Sequence, residues 1–340
     1  MVTPTIIGQS PLFLETLDHV SRAALLHRPV VIAGERGTGK ELIADRLHYL
    51  SPRWDQPFLK INCAALPESL LESELFGHEA GSFTSANKRH IGRFERTGAG
   101  TLFLDEIATM SPRLQEKLLR VIEYGEFERV GGSQTLRSHA RIISAANRDL
   151  PALARQGNFR PDLLDRLAFD VITLPPLRRR REDIFLLAEH FALNMIKEMR
   201  RSFFPGFTSQ TTEQLLHYHW PGNVRELKSV VERAVYHSRE GGIINKINLD
   251  PFDSPSRLQK KTVVMPEKGK TEQPPPATSA TPENFKEHIR EIEQQLLQQA
   301  LKENKYNQRR TAEALSLSYH QLRGYLKKYN ISTGSRKTSS

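Results

Sequence analysis

Gly34 to Glu41 reads GERGTGKE and directly follows the apolar run Val30 to Ala33. Three glycines, Gly34, Gly37 and Gly39, allow backbone N–H groups to point at phosphate oxygens, and Lys40 opens a helical pattern through Leu42, Ile43 and Leu47. A helix N-terminus favours anions, and a lysine at that point reaches the β and γ phosphates of a nucleotide. The stretch reads as a P-loop in which Gly34, Glu35, Arg36, Gly37, Thr38, Gly39, Lys40 and Glu41 bind ATP. Glu41 occupies the position where Ser or Thr usually ligates Mg²⁺, so the metal must depend on another residue and on water. GTLFLDEI supplies that residue, because it is an apolar strand pattern ending in Asp105 and Glu106. Two carboxylates at the C-terminal end of a strand lie where open α/β sheets bind ligands. Asp105 can hold Mg²⁺, and Glu106 can polarise a water for attack on the γ-phosphate.

These groups need a parallel sheet to hold them. Short apolar strands such as VVIAG, TLFLD and RIISAAN alternate with helical patterns up to about residue 240, the signature of an α/β fold. The expected boundaries are an α/β nucleotide-binding subdomain over 1–172 and a helical subdomain over 173–249. A Pro-, Lys- and Ser-rich linker without order follows over 250–282, then a helix-turn-helix domain over 283–331 and a tail over 332–340. Ile289, Ile292, Leu296, Leu297, Ala300 and Leu301 are spaced as the apolar stripe of an amphipathic helix on which such units could pair. Beyond it, TAEALSLSYHQLRGYLKKY breaks at Ser316 to Ser318 into two short helices, the second set to enter a major groove. Tyr319, His320, Gln321, Arg323, Lys327 and Lys328 are its candidate DNA-binding residues. Gln321 suits adenine and Arg323 guanine, while the lysines suit phosphates.

Composition agrees with this division. The chain has 340 residues and a net charge of +10, and residues 305–340 carry eight Lys/Arg against one Glu, which favours a polyanionic partner. A single cysteine, Cys63, leaves no disulfide within the chain and reads most simply as a small buried hydrophobe. The N-terminus lacks the pattern of a signal peptide, and no apolar run is long enough to span a bilayer. A cytoplasmic protein is expected.

GERGTGKE, ELFGHEAGSFTSA, GTLFLDE, FRPDLLDRL and WPGNVRELKSVVERAV occur in this order and resemble the AAA+ domain of bacterial enhancer-binding proteins, activators of RNA polymerase carrying sigma-54. The similarity covers about residues 5–240, and the C-terminal helix pair fits the family as well. The resemblance implies a AAA+ P-loop domain with a helical lid. Its implied activity is ATP hydrolysis that remodels the closed promoter complex, with enhancer DNA, the sigma-54 holoenzyme and further copies of the chain, as a hexameric ring, for partners. The family pattern starts at Ile6 with no sensory domain before it, which implies control in trans by a negative regulator of the phage-shock, membrane-stress type. The contrasting expectation is a DNA-binding regulator whose AAA+ region serves only as an oligomerisation or ligand switch.

The resemblance also implies residue roles. Asn62 matches a switch residue that hydrogen-bonds Glu106 in an unproductive orientation, although an Asn can also simply cap a strand end. Asn147 matches the γ-phosphate sensor, with Ala146 where the family commonly has threonine. Arg160 and Arg166 match arginine fingers supplied to a neighbouring subunit, and pairing with Asp162 or Asp165 is the plainer alternative. Arg225 matches the sensor arginine of the lid. Gly81, Ser82, Phe83, Thr84, Ser85 and Ala86 resemble the projecting loop that touches sigma-54, with Ser82 in place of Ala and Ser85 in place of Gly. Trp54, in the polar turn SPRWDQPF, is either partly packed or an anchor for the inhibitor.

Overall fold

The chain, as a computed structural model, is described over residues 6–83, 86, 88–252, 285–304, 306–315, 317–329 and 331. Nearly all of the expected linker and the C-terminal tail lie outside these residues. The first unit opens with α1 (Pro11–Ala24), β1 (Val30–Ala33), α2 (Lys40–Tyr49), β2 (Phe58–Asn62), α3 (Glu68–Phe76), α4 (Arg93–Thr97) and β3 (Thr101–Asp105). It continues through α5 (Pro112–Tyr124), β4 (Glu126–Glu128), β5 (Thr135–Arg137), β6 (Arg141–Ala146), α6 (Leu150–Arg155), α7 (Pro161–Leu167) and β7 (Asp170–Thr173). Three lid helices follow: α8 (Glu182–Glu198), α9 (Ser209–His217) and α10 (Asn223–His237).

Five strands form one parallel sheet in the order β2-β3-β6-β1-β7, and β4 and β5 form a separate antiparallel hairpin. Successive side chains of a strand point to opposite faces, and the two cores follow that alternation. Val31, Leu102, Leu104 and Ile142 pack on one face with α3, α5 and α7. Val30, Ile32, Phe103 and Ile143 pack on the other with α1 and α2. Being covered on both faces, the central strands β1, β3 and β6 are largely apolar rather than alternating, whereas the edge strands β2 and β7 are only partly buried. Arg141 is the buried exception: its guanidinium donates to the carbonyls of Ala23 and Ala24 at 2.7 and 2.9 Å, satisfying acceptors that the end of α1 leaves open.

The lid has its own core around Trp220, which is fully buried and donates its indole N–H to Leu215 O at 2.8 Å. The C-terminal unit contains α11 (Phe285–Glu303), α12 (Gln308–Ala314) and α13 (Tyr319–Lys328). Leu297, Leu301, Ala312, Leu322 and Leu326 close its small core. Within the α11 stripe Leu297 and Leu301 face this core, whereas Leu296 remains 56% exposed. Among the described residues no helix is long and apolar enough to cross a membrane.

Candidate functional site

The sheet order decides the site, because β3, β6 and β1 are neighbours and their C-terminal ends lie side by side. Those ends carry Asp105 and Glu106, Asn147, and the loop Gly34 to Gly39. Gly37 and Gly39 have φ values of +78° and +100°, a region that L side chains rarely adopt and that makes glycine necessary there. Lys40 begins α2 and folds its ammonium back onto the carbonyls of Gly34 and Glu35, at 2.9 Å each. Burial lowers its pKa, and the carboxylates of Asp105 and Glu106 oppose that shift. A phosphate chain would offer this ammonium stronger, charged acceptors than the two carbonyls.

Asp105 is half-buried and its pKa is raised, first by burial, against the opposing hydrogen bond from Glu106 N and the charge of Lys40. Glu106 sits in the left-handed region at φ +53°, which costs a non-glycine residue energy and is characteristic of functional sites. Its carboxylate lies 3.9 Å from Arg36 Nε. Asn62 does not reach Glu106 here. Its amide donates to Asp105 Oδ2 at 3.5 Å, and its carbonyl oxygen accepts from Ala64 N at 2.8 Å. The parallel register explains the difference, because Asn62 pairs directly with Asp105, one residue short of the glutamate.

Two P-loop carboxylates also point elsewhere than the motif suggests. Glu41 is held by Lys60 at 2.9 Å, on the β2 side of the loop. Glu35 turns away toward the lid and receives both terminal nitrogens of Arg178 at 2.6 and 2.8 Å. Hydrogen bonds from Arg178, then from Asn223, hold its pKa down at about 2. Arg225 lies in the first turn of α10 beside Gly37, and its backbone N–H donates to Gly37 O at 3.4 Å. An apolar cleft adjoins Thr38 and Gly39, lined by Ile6, Ile7, Phe13, Leu187, Phe191 and Val224. Sequence reasoning missed this cleft because its walls come from three distant segments.

The remaining sites lie apart from this centre. Arg160 forms a double hydrogen bond with Asp162 at 2.6 and 3.0 Å, and Arg166 reaches Glu123 rather than Asp165, at 2.7 Å. The expected projecting loop is tied at its root: Gly81 N donates to Ala86 O at 2.7 Å, and Ala86 N to Phe83 O at 2.9 Å. Ser82 packs against Gly131, where an added Cβ would lie 2.5 Å from Ser82 Cβ, and Ala86 is buried. Both therefore belong to the root rather than to a contacting tip. Phe83 is 40% exposed and meets the His78 ring edge-on at 4.9 Å. Thr84 and Ser85 lie outside the described residues. Beneath the loop, buried Arg129 pairs with Glu79 and Glu95. Trp54 is 64% exposed among the described residues.

In the C-terminal unit, Tyr319, His320, Arg323, Lys327 and Lys328 are on the exposed surface of α13. Gln321, expected to suit adenine, is engaged within its own helix. Its side-chain oxygen accepts from Ser318 N at 2.9 Å while Ser318 Oγ receives Gln321 N, which closes a capping box. This arrangement satisfies two otherwise unpaired donors at the start of the helix. Lys328 leans over the Tyr329 ring at 4.7 Å.

A P-loop, a strand-end Asp-Glu pair, a helical lid and an appended helix-turn-helix unit together define a DNA-binding AAA+ ATPase. Family models match residues 6–173 as a "Sigma-54 interaction domain", 178–263 as a "AAA+ ATPase lid domain" and 288–329 as a "Bacterial regulatory protein, Fis family". The "Psp operon transcriptional activator" of Escherichia coli (strain K12) is 55% identical over 96% of this chain and 98% of its own length. "Regulatory protein AtoC" of the same organism is 44% identical over 96% of the chain and 68% of its own length. The solved structure of NtrX from Brucella abortus in complex with ATP matches with a TM-score of 0.67 at 28% identity, covering 96% of this chain and 70% of that one. The chain belongs to the family of sigma-54-dependent transcriptional activators and is an ATPase of that family.

Proposed function

We infer that the chain activates envelope-stress genes of the phage-shock type from a distal DNA site, using a ring of its own copies, in the cytoplasm. Similarity over nearly the full length of the Escherichia coli Psp activator supports the choice of genes. Asp105 would hold Mg²⁺. The fit rests on a carboxylate at the C-terminal end of β3, in the sheet whose β1 end carries the phosphate loop, and with one protein carboxylate most coordination would fall to phosphate oxygens and water, as Mg²⁺ prefers. When bound, that ion neutralises charge on the phosphates. Glu106 orients the attacking water, Lys40 and Asn147 face the γ-phosphate, and the apolar cleft beside Gly39 takes the base. Arg160 and Arg166 exchange Asp162 and Glu123 for the neighbouring subunit's nucleotide, where an arginine finger is worth roughly 10³–10⁵ in rate.

Phe83 is the observation that carries the polymerase contact: an apolar ring left exposed on a loop whose root is tied at both ends. Such a ring is suited to meeting a partner surface. The exposed Trp54 is the proposed anchor for a trans-acting negative regulator. Single-round open-complex formation with purified sigma-54 polymerase tests the reading. Wild type should open promoters only with hydrolysable ATP, and equal opening without it overturns the proposal. Thr84→Ala should abolish opening with ATPase largely retained, Ser85→Gly should preserve or improve it, and Glu106→Ala should bind ATP without turning it over.

A further inference from the structure

The N-cap of α10 is Gly222, which has no side chain to accept from the first turn; Glu226 takes only the N–H of Gly222, at 2.7 Å, although a helix start leaves several backbone N–H groups without partners. The phosphate loop supplies the acceptor: Gly37 O receives Val224 N at 3.0 Å and Arg225 N at 3.4 Å. The approach is backbone on backbone, since a Cβ on Gly37 would lie 2.2 Å from Gly222 O. Beside it, Asn223 is completely buried and has φ +51°. Its side-chain N–H groups donate to Glu35 Oε2 at 3.1 Å and to Arg36 O at 3.0 Å, and its oxygen accepts from Leu177 N at 2.8 Å. One amide thus joins the phosphate loop, the turn after β7 and the lid helix. Arg178, from that same turn, closes the other side of Glu35.

We propose that Asn223 and Glu35 form a clasp that fixes the shape of the phosphate loop from the lid, making both of them positioning residues for ATP hydrolysis. The clasp acts without touching nucleotide, unlike Arg225, whose side chain faces the loop. An amide is required at position 223 because its neighbour is a carboxylate. Aspartate there would keep the size and tolerate the left-handed backbone, yet it would lose both donors and set two anions together. Glutamine in place of Glu35 would likewise turn an N–H toward Arg178 whichever way its amide lies, because Arg178 donates to both carboxylate oxygens. Changing both returns one match, the amide now on the phosphate loop donating to the carboxylate now on the lid, while Arg178 loses one acceptor and Arg36 O its donor.

The clasp rests on the chain being an ATPase, so full-length wild type, Asn223→Asp, Glu35→Gln and the double variant are compared by two readouts: steady-state hydrolysis and equilibrium binding of a fluorescent ATP analogue. Each single change should raise both KM and the analogue Kd about tenfold, a loss of about 1.4 kcal/mol, in a chain that still folds although it melts somewhat earlier than wild type. The double variant should lose no more than the worse of the two single variants. Losses that add in the double variant overturn the clasp, as does a lowered melting temperature with KM and Kd unchanged. A wild-type chain that binds the analogue without hydrolysing ATP would count against the ATPase reading instead, and the binding readout would still decide the clasp.

Discussion

Glu35 illustrates how a motif residue can act away from the motif's chemistry. Its pKa is lowered from 4.5 to about 2, so the folded state binds its proton more weakly than the unfolded state does. The stability this confers is fully present above about pH 4.5 and disappears as pH falls through about 2. Its side chain is partly solvated, so the contribution is smaller than the shift suggests. Glu35→Gln should lower the urea midpoint at pH 7, with the difference from wild type shrinking as pH falls from 4.5 toward 2. Lys40, Asp105 and Glu106 were legible because contiguous motifs specify both residue type and strand context. Asn223 and Arg178 were not, since they reach Glu35 from 188 and 143 residues away. The cap made by Gln321 went unread although S-x-x-Q is written in the chain, because base contact and capping ask for the same amide.

Elements repeat this contrast between local and distant information. The apolar runs of β1, β3 and β6 announced a sheet buried on both faces, while the sheet order that brings their ends together follows from crossovers no local pattern encodes. The Ser318 cap is local and can be tested as such. Ser318→Ala removes the hydroxyl that receives Gln321 N and should cost the C-terminal unit about 1 kcal/mol, read by thermal unfolding of the full chain followed at its second transition. Trp220 is the corresponding distant case. It bridges the loop before α10 to the end of α9, and its indole packs among residues of three helices. Trp220→Ala should destabilise the lid by about 3–5 kcal/mol, visible as a separate, earlier melting step.

For the whole molecule, the two arginines at α7 give the strongest reason to expect assembly. Each is neutralised by an acid of its own chain, Arg160 by Asp162 and Arg166 by Glu123, and exposed pairs of this kind contribute little. Little would be lost if they were exchanged for a phosphate on an adjoining subunit, as proposed. Arg166→Ala should lose turnover yet regain part of it when mixed with Glu106→Ala subunits, each supplying what the other lacks; mixtures as inactive as either parent would remove the trans assignment.

The ties beneath Phe83 have a mechanical meaning. His78 and His90 exchange two backbone hydrogen bonds, Glu79 N donates to Val130 O, and Gly81 N closes on Ala86 O. A root held by so many rungs has little room to bend. Motion generated among the strand ends would arrive at Phe83 nearly undiminished, so the described part of the loop would act as a rod rather than a tether, and in the proposed contact the compliance would reside in the partner.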